Sequence, residues 1–298
     1  MRETIINYSL HKKSSWFQNK LQGLSNRYFK YKRILTCKLY FFFHPVVLDK
    51  SKILPGTIPI FINNFNRFTS LRFQIEWLTS IHDKVSIIVV DNNSDYLPLL
   101  EYYKSLNYQN VQVVYLGINS CLHGIGYLLG KLRGVEKYVV TDSDLLPYAE
   151  TPENIISHLE KLLDKYPSYN HVGPSLEIND IPRCNPLQEK IVHHESQYWP
   201  PLAKRINEDL VIAPIDSTFA MYRKTSNFFL RYPALRTARP YTLKHLDWYI
   251  NKENPTDEMA YYMKTCKPIA TWATEAKRNL VWLFPVSEIA EKFLIVVQ

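Results

Sequence analysis

Lys137-Tyr138-Val139-Val140-Thr141-Asp142-Ser143-Asp144-Leu145-Leu146-Pro147 is the stretch on which the fold turns. A short apolar run ends in two carboxylates one residue apart, and a leucine pair and a proline then lead the chain away. Aspartate is depleted in strands, so Asp142 and Asp144 are expected just past the strand, where their side chains can converge. Two hard oxygen ligands at that spacing suit a divalent cation that also takes phosphate oxygens. The same residues also suit an Asx-type turn closing a strand. The flanking sequence decides between the two.

Upstream of this stretch, strand and helix patterns alternate. Ile58 to Ile62 is a short apolar strand, and Asn63-Asn64-Phe65-Asn66-Arg67 is a polar break. Leu71, Ile75 and Leu78 then recur at i, i+4 and i+7, the stripe of an amphipathic helix. Val85 to Val90 is a β-branched strand closed by Asp91-Asn92-Asn93-Ser94-Asp95. A helix around Leu97 to Leu106 and a third strand, Val111 to Tyr115, follow. A helix from about Cys121 to Arg133 leads into the fourth strand. Strict alternation implies a parallel sheet with right-handed crossovers, and ligands of such sheets bind outside the carboxyl ends of the strands. Three polar clusters, Asn63 to Arg67, Asp91 to Asp95, and Asp142 with Asp144, are thereby expected on one rim.

The totals narrow the class further. A chain of 298 residues with 46% hydrophobic and 21% charged residues is a folded protein of one large or two modest domains. With 8 glycines and neither G-x-G-x-x-G nor G-K-[ST], it lacks a glycine-rich phosphate loop. Cys37, Cys121, Cys184 and Cys266 are far apart and form no C-x-x-C pair, which argues against a cysteine zinc site or a disulfide framework and fits a reducing, cytoplasmic setting. Of the net charge of +8, residues 1–52 contribute +9, from 11 Lys and Arg against Glu3 and Asp49. The remainder, with 25 basic and 26 acidic residues, is close to neutral.

The basic segment interleaves its lysines and arginines with Trp16, Phe17, Tyr28, Phe29 and Tyr31, and runs into the apolar stretch Ile34 to Leu48. Lys38 and Pro45 interrupt that stretch, which falls short of a membrane span and does not match a cleaved leader. An anionic membrane surface, contacted through residues 1–50, and an ordinary solvated helix both fit it. Nucleic acid fits worst and is not expected, because a basic arm outside a neutral domain supplies no groove and no base-reading set. The expected organisation is an extension over 1–52, a main domain over 53–283 divided at 147/148, and a C-terminal helix or tail over 284–298.

As an ordered set, these residues resemble the GT-A class of nucleotide-sugar-dependent glycosyltransferases, in particular its large family 2-like group. Phe65-Asn66-Arg67-Phe68 matches the Asn-Arg turn after the first strand, Val90-Asp91-Asn92-Asn93-Ser94-Asp95 the Asp-Asn-x-Ser segment, and Asp142-Ser143-Asp144 the Asp-x-Asp motif. The resemblance is specific over residues 57–147 and looser through about 265. It implies an α/β, Rossmann-like, mostly parallel sheet flanked by helices, carrying the basic N-terminal extension described above. By position, Asn63, Asn66, Arg67, Asp91, Asn93, Ser94 and Asp142 would bind the nucleotide, Asp91 through its base. Asp142 and Asp144 would hold Mn²⁺ or Mg²⁺ on the diphosphate of a nucleotide sugar, a UDP-sugar being favoured. The acceptor implied is a glycan or lipid-linked glycan of surface polysaccharide or lipooligosaccharide synthesis, with hexosyl or hexosaminyl transfer, inversion favoured, at the inner face of the membrane. A non-catalytic sugar- or nucleotide-binding protein on the same fold is the alternative, which the intact Asp91, Asp142 and Asp144 disfavour.

Such chemistry needs a base for the acceptor hydroxyl after the metal motif. Asp216, between two short strand patterns and amid apolar residues, is one candidate. Where the family places a Glu-Asp pair, this sequence has His245 and Asp247, and His245 is equally a candidate third metal ligand. His193 to Trp199 reads as an acceptor-side loop or a plain surface loop.

Overall fold

The computed structural model describes residues 31–32, 34–185, 187–216, 218–226, 228–229, 231–251 and 254–266. The expected C-terminal element over 284–298 lies outside them, as do residues 1–30. A helix over residues 34–43, α1, comes first. The alternating half follows: β1 (Ile58–Asn64), α2 (Thr69–Ser80), β2 (Val85–Asp91), α3 (Leu97–Ser105), β3 (Val111–Tyr115), α4 (His123–Lys131) and β4 (Lys137–Asp142). The second half comprises β5 (Leu145–Pro147), α5 (Ile155–Lys165), β6 (His171–Leu176), α6 (Gln188–Ser196), β7 (Lys204–Asn207), β8 (Leu210–Ile212), β9 (Ala220–Arg223), β10 (Ala234–His245) and α7 (Asp257–Thr265).

All ten strands join one sheet in the order β3-β2-β1-β4-β9-β6-β10-β8-β7, with β5 paired to β10. β1 to β4 are mutually parallel. β9 runs against β4 and β6, while β10 returns parallel to β6. The fold is thus the Rossmann-like, mostly parallel α/β arrangement that the resemblance implies.

Side-chain alternation divides the sheet between two cores. Ile60, Ile62, Ile87, Val89 and Val139 face a core shared with α2 and α5. Phe61, Ile88, Val90, Tyr138 and Val140 face the other, which α1 and α4 cover. β2 is buried along its whole length, as a parallel strand covered on both faces must be. Leu71, Ile75 and Leu78 are the buried stripe of α2, and Pro98 stands in the first turn of α3, where its missing N–H costs nothing.

Two local expectations are corrected. Asp142 does not lie past the strand: it closes β4, opposite Asn63 on β1, just as Asp91 closes β2 opposite Asn64. Ladder bonds to parallel neighbours carry these polar residues into the strands against their propensity. Leu145–Pro147 does not lead the chain away either, because it forms a short strand antiparallel to the end of β10.

Candidate active site

The carboxyl ends of β1, β2 and β4 bring the three polar clusters to one rim and wire them together. Asn92 Nδ2 donates to Asn63 Oδ1 at 2.8 Å, and Asn63 Nδ2 donates to Asp142 Oδ1 at 3.0 Å. Asp91 is buried, its carboxylate accepting from the Ser94 N–H at 3.0 Å and the Tyr103 hydroxyl at 2.9 Å. Burial, then the Asp91 charge, raises the Tyr103 phenol well above its ordinary pKa, so it stays a donor. Asn66 adopts a left-handed φ of 52°. Its side chain receives the N–H groups of Asp95 and Tyr96 and donates to Asp95 and Thr265, clamping the first two clusters. Asn93 also has a positive φ of 66° and is exposed at the loop tip. Ser94 accepts from the Asn66 N–H at 2.9 Å.

The Asp142–Leu145 turn is held from below by Gln74 on α2. Its Nε2 donates to the carbonyls of Asp142 at 3.0 Å and Leu145 at 2.9 Å. On the far side, the Leu246 N–H donates to the Asp144 carbonyl at 2.8 Å. The end of β10 is thereby fastened to the Asp-x-Asp turn, and a gap of about a hundred residues in sequence closes.

Four ionisable side chains meet there. Arg67 and Asp247 form a buried pair at 2.5 Å, and the guanidinium also lies 4.8 Å from the Tyr262 ring centre. Burial opposes the Arg67 charge, but Asp247 and Asp144 outweigh it and raise the pKa. His245 Nδ1 lies 3.6 Å from Asp144 Oδ2, too far for a hydrogen bond. Its ring stacks on Trp248, with 5.0 Å between centres and 8° between planes. Burial pushes the Asp144 carboxyl up; His245 pulls it down, Asp247 pushes it up and Arg67 pulls it down. Asp144 Oδ1 and His245 Nδ1 are both buried without a hydrogen-bond partner.

Unmet acceptors of that kind are costly unless something completes them. Among the described residues, no group of three or more His, Cys, Asp or Glu side chains is arranged to hold a metal ion. The Asp144 carboxylate and the His245 imidazole are nonetheless residue types that could contribute ligands to a divalent ion.

Asp216 is placed differently from the expectation. It is exposed rather than embedded among the neighbouring apolar residues, and Arg231 pairs with it at 2.8 Å. It lines a cavity of about 120 Å³ together with Asp142, His245, His194, Tyr198 and Arg236. Asp247, by contrast, is committed to Arg67. The His193–Trp199 stretch is not a loop: its first part ends α6, and Trp199 Nε1 donates to the Leu176 carbonyl at 3.1 Å. A buried pair between Arg236 of β10 and Glu195 of α6 holds the helix over the cavity, and Arg236 stacks 4.5 Å from the Tyr198 ring centre. Sequence reading gives no individual role to Gln74, Asn92, Glu195 or Arg236.

No family model matches this chain, and no curated protein does. Among solved structures, it is similar to the mannosyltransferase PcManGT from Pyrobaculum calidifontis, solved with GDP-Man and Mn²⁺, at 11% identity, 89% of this chain, 87% of that one and a TM-score of 0.42. A fragment of TarS from S. aureus is similar at 12% identity over 70% of this chain and 64% of that one, with a TM-score of 0.42. Glucosyl-3-phosphoglycerate synthase from Mycobacterium tuberculosis, solved with phosphoglyceric acid, follows at 15% identity, 56% and 57% coverage and a TM-score of 0.35.

Proposed function

We propose that the protein is a metal-dependent glycosyltransferase of GT-A type, moving a hexosyl or hexosaminyl group from a nucleotide sugar to a glycan or lipid-linked glycan. The observation that carries this reading is that Asp144 and His245 meet, Nδ1 to Oδ2 at 3.6 Å, with Asp144 Oδ1 and His245 Nδ1 buried and without a hydrogen bond, at the rim that Asp91 and Asp142 also reach. Asn93 and Ser94 take the nucleoside end of the donor, and the buried Asp91 holds the Ser94 backbone in place behind them. Asn63, Asn66 and Arg67 shape the floor beneath it. Asp142, Asp144 and His245 are the residues that would hold Mn²⁺ or Mg²⁺, which supplies Lewis-acid neutralisation of the leaving diphosphate.

Of the three candidate bases, Asp216 is the best placed. A base must reach a proton on an incoming hydroxyl; Asp216, paired with Arg231, is exposed on the cavity, whereas Asp247 is buried against Arg67, and His245, though on the same cavity, lies against Asp144. In the inverting reaction, Asp216 takes the acceptor proton, the acceptor oxygen bonds to the anomeric carbon, and the bond to the diphosphate breaks. Screening a panel of UDP- and GDP-sugars for Mn²⁺-dependent donor hydrolysis tests the reading; turnover of none contradicts it. Asp216→Asn is expected to lower kcat by about 10²–10⁴-fold while leaving donor affinity unchanged. Unchanged kcat would exclude Asp216 as the base.

A further inference from the structure

Helix α1 is apolar on two sides. Cys37 and Phe41 are buried in the core face shared with α4, and the Phe41 ring stacks on Tyr127 with 4.6 Å between centres. Val46, just beyond the helix, is buried there too, and Lys131 donates to its carbonyl at 2.7 Å. The helix is therefore anchored to the domain rather than loosely appended. Its other side points outward with Leu35 59% exposed, Leu39 52%, Phe42 78% and Phe43 70%. At about 100° per residue, Leu35, Leu39 and Phe42 fall on one outward stripe, and Lys38 flanks it roughly 60° to one side. Lys38 is exposed, as is Lys32 ahead of the helix.

We infer that this outward face of α1 docks the protein on an anionic lipid surface. An apolar stripe with phenylalanines at its end and exposed lysines beside it matches an interface in which rings and leucines enter the acyl boundary and ammonium groups reach anionic headgroups. Charge complementarity selects that occupant: the segment that contains α1 carries all of the chain's excess positive charge, +9 over residues 1–52, while the rest is close to neutral. A second copy of the chain would bring like charge against like. Among the described residues no helix is long and apolar enough to cross a membrane.

The anchoring also reaches the segment after β3. Tyr40 of α1 packs at Gly117, directly after β3, where the backbone has a φ of +68° and a Cβ would stand 2.4 Å from the tyrosine hydroxyl. Gly117 belongs to the segment leaving the carboxyl end of β3, the same edge that carries the polar clusters.

The test is co-flotation of the full-length protein with phosphatidylglycerol-containing vesicles and with pure phosphatidylcholine vesicles. Binding to the anionic vesicles is expected, weakening as salt rises. Leu39→Glu/Phe42→Glu is expected to reduce it at least tenfold, and Lys32→Glu/Lys38→Glu to reduce it most at low salt. Circular dichroism of each variant establishes that the fold is kept. Mass determination in solution discriminates among occupants. A wild-type dimer that ignores vesicles and becomes monomeric on Leu39→Glu/Phe42→Glu would overturn the inference in favour of a second copy. A monomer that ignores vesicles would overturn it in favour of cover by the chain itself. Full vesicle binding by the folded Leu39→Glu/Phe42→Glu variant would also overturn it.

Discussion

Arg67, Asp144, His245 and Asp247 come from three separated parts of the chain, and each compensates the burial of another. The Arg67–Asp247 pair is internally neutral, so its removal from one side is severe. Arg67→Ala leaves the Asp247 carboxylate buried alone and is expected to cost about 3–5 kcal/mol in denaturant unfolding. A loss under about 1 kcal/mol would mean the pair is solvated. A second buried group gives a pH signature. His171 stacks on Tyr222 with neither ring nitrogen hydrogen-bonded, and burial pushes its pKa from 6.5 down to about 4. Below pH 6.5 the unfolded chain takes up a proton that the folded chain refuses. Its stabilising contribution is therefore complete above that value and is lost as pH falls from 6.5 towards about 4, on the order of 3 kcal/mol. Unfolding measured between pH 7 and pH 4 should show a shallower decline in His171→Phe; an unchanged profile would contradict the assignment. Asp91, Asp142 and Asp144 were legible because carboxylates at strand ends stand out against apolar runs. Gln74 and Asn92 were not, since an amide gives no pattern until the backbone groups it satisfies are in place.

At the level of elements, α2 and α6 serve the site without presenting charges to a ligand. Gln74→Ala would take this donor from the Leu145 carbonyl and leave the Asp142 carbonyl with the Thr141 hydroxyl alone. The expected cost is about 1–3 kcal/mol, together with weaker Mn²⁺-dependent nucleotide binding by titration. Full affinity in this variant would show that the turn holds itself. Glu195→Ala strips the buried Arg236 of its partner and is expected to destabilise by about 3–5 kcal/mol, read by urea unfolding. The first four strands could be read from sequence because each is a short run rich in apolar and β-branched residues, and three of them run into a polar cluster. β10 could not: it is twelve residues long, contains Pro240, and shifts register against β6 between Thr237 and Thr242. Its partners β6, β8 and β5 come from distant parts of the chain. The exposure of Asp216 was hidden for the same reason, since apolar neighbours in sequence were no guide to which side chains the sheet would cover.

For the molecule as a whole, one sheet does two jobs. Its parallel half gathers Asn63, Asp91 and Asp142 at adjacent carboxyl ends, and its mixed half returns β10 so that His245 reaches Asp144. Electrostatically the chain is also divided, with a near-neutral body and a basic first segment. The convergence of the three clusters followed from alternation alone. The return of His245 depended on strand pairings that no local pattern encodes. The central claim, that Asp144 and its neighbours hold a divalent ion against a nucleotide diphosphate, is tested most directly by thermal unfolding with UDP or GDP, with and without Mn²⁺. A rise in Tm that requires both nucleotide and metal, and that disappears in Asp144→Ala, is the expected result. The contrary result is a Tm that no combination of nucleotide and Mn²⁺ moves, or a rise that survives intact in Asp144→Ala.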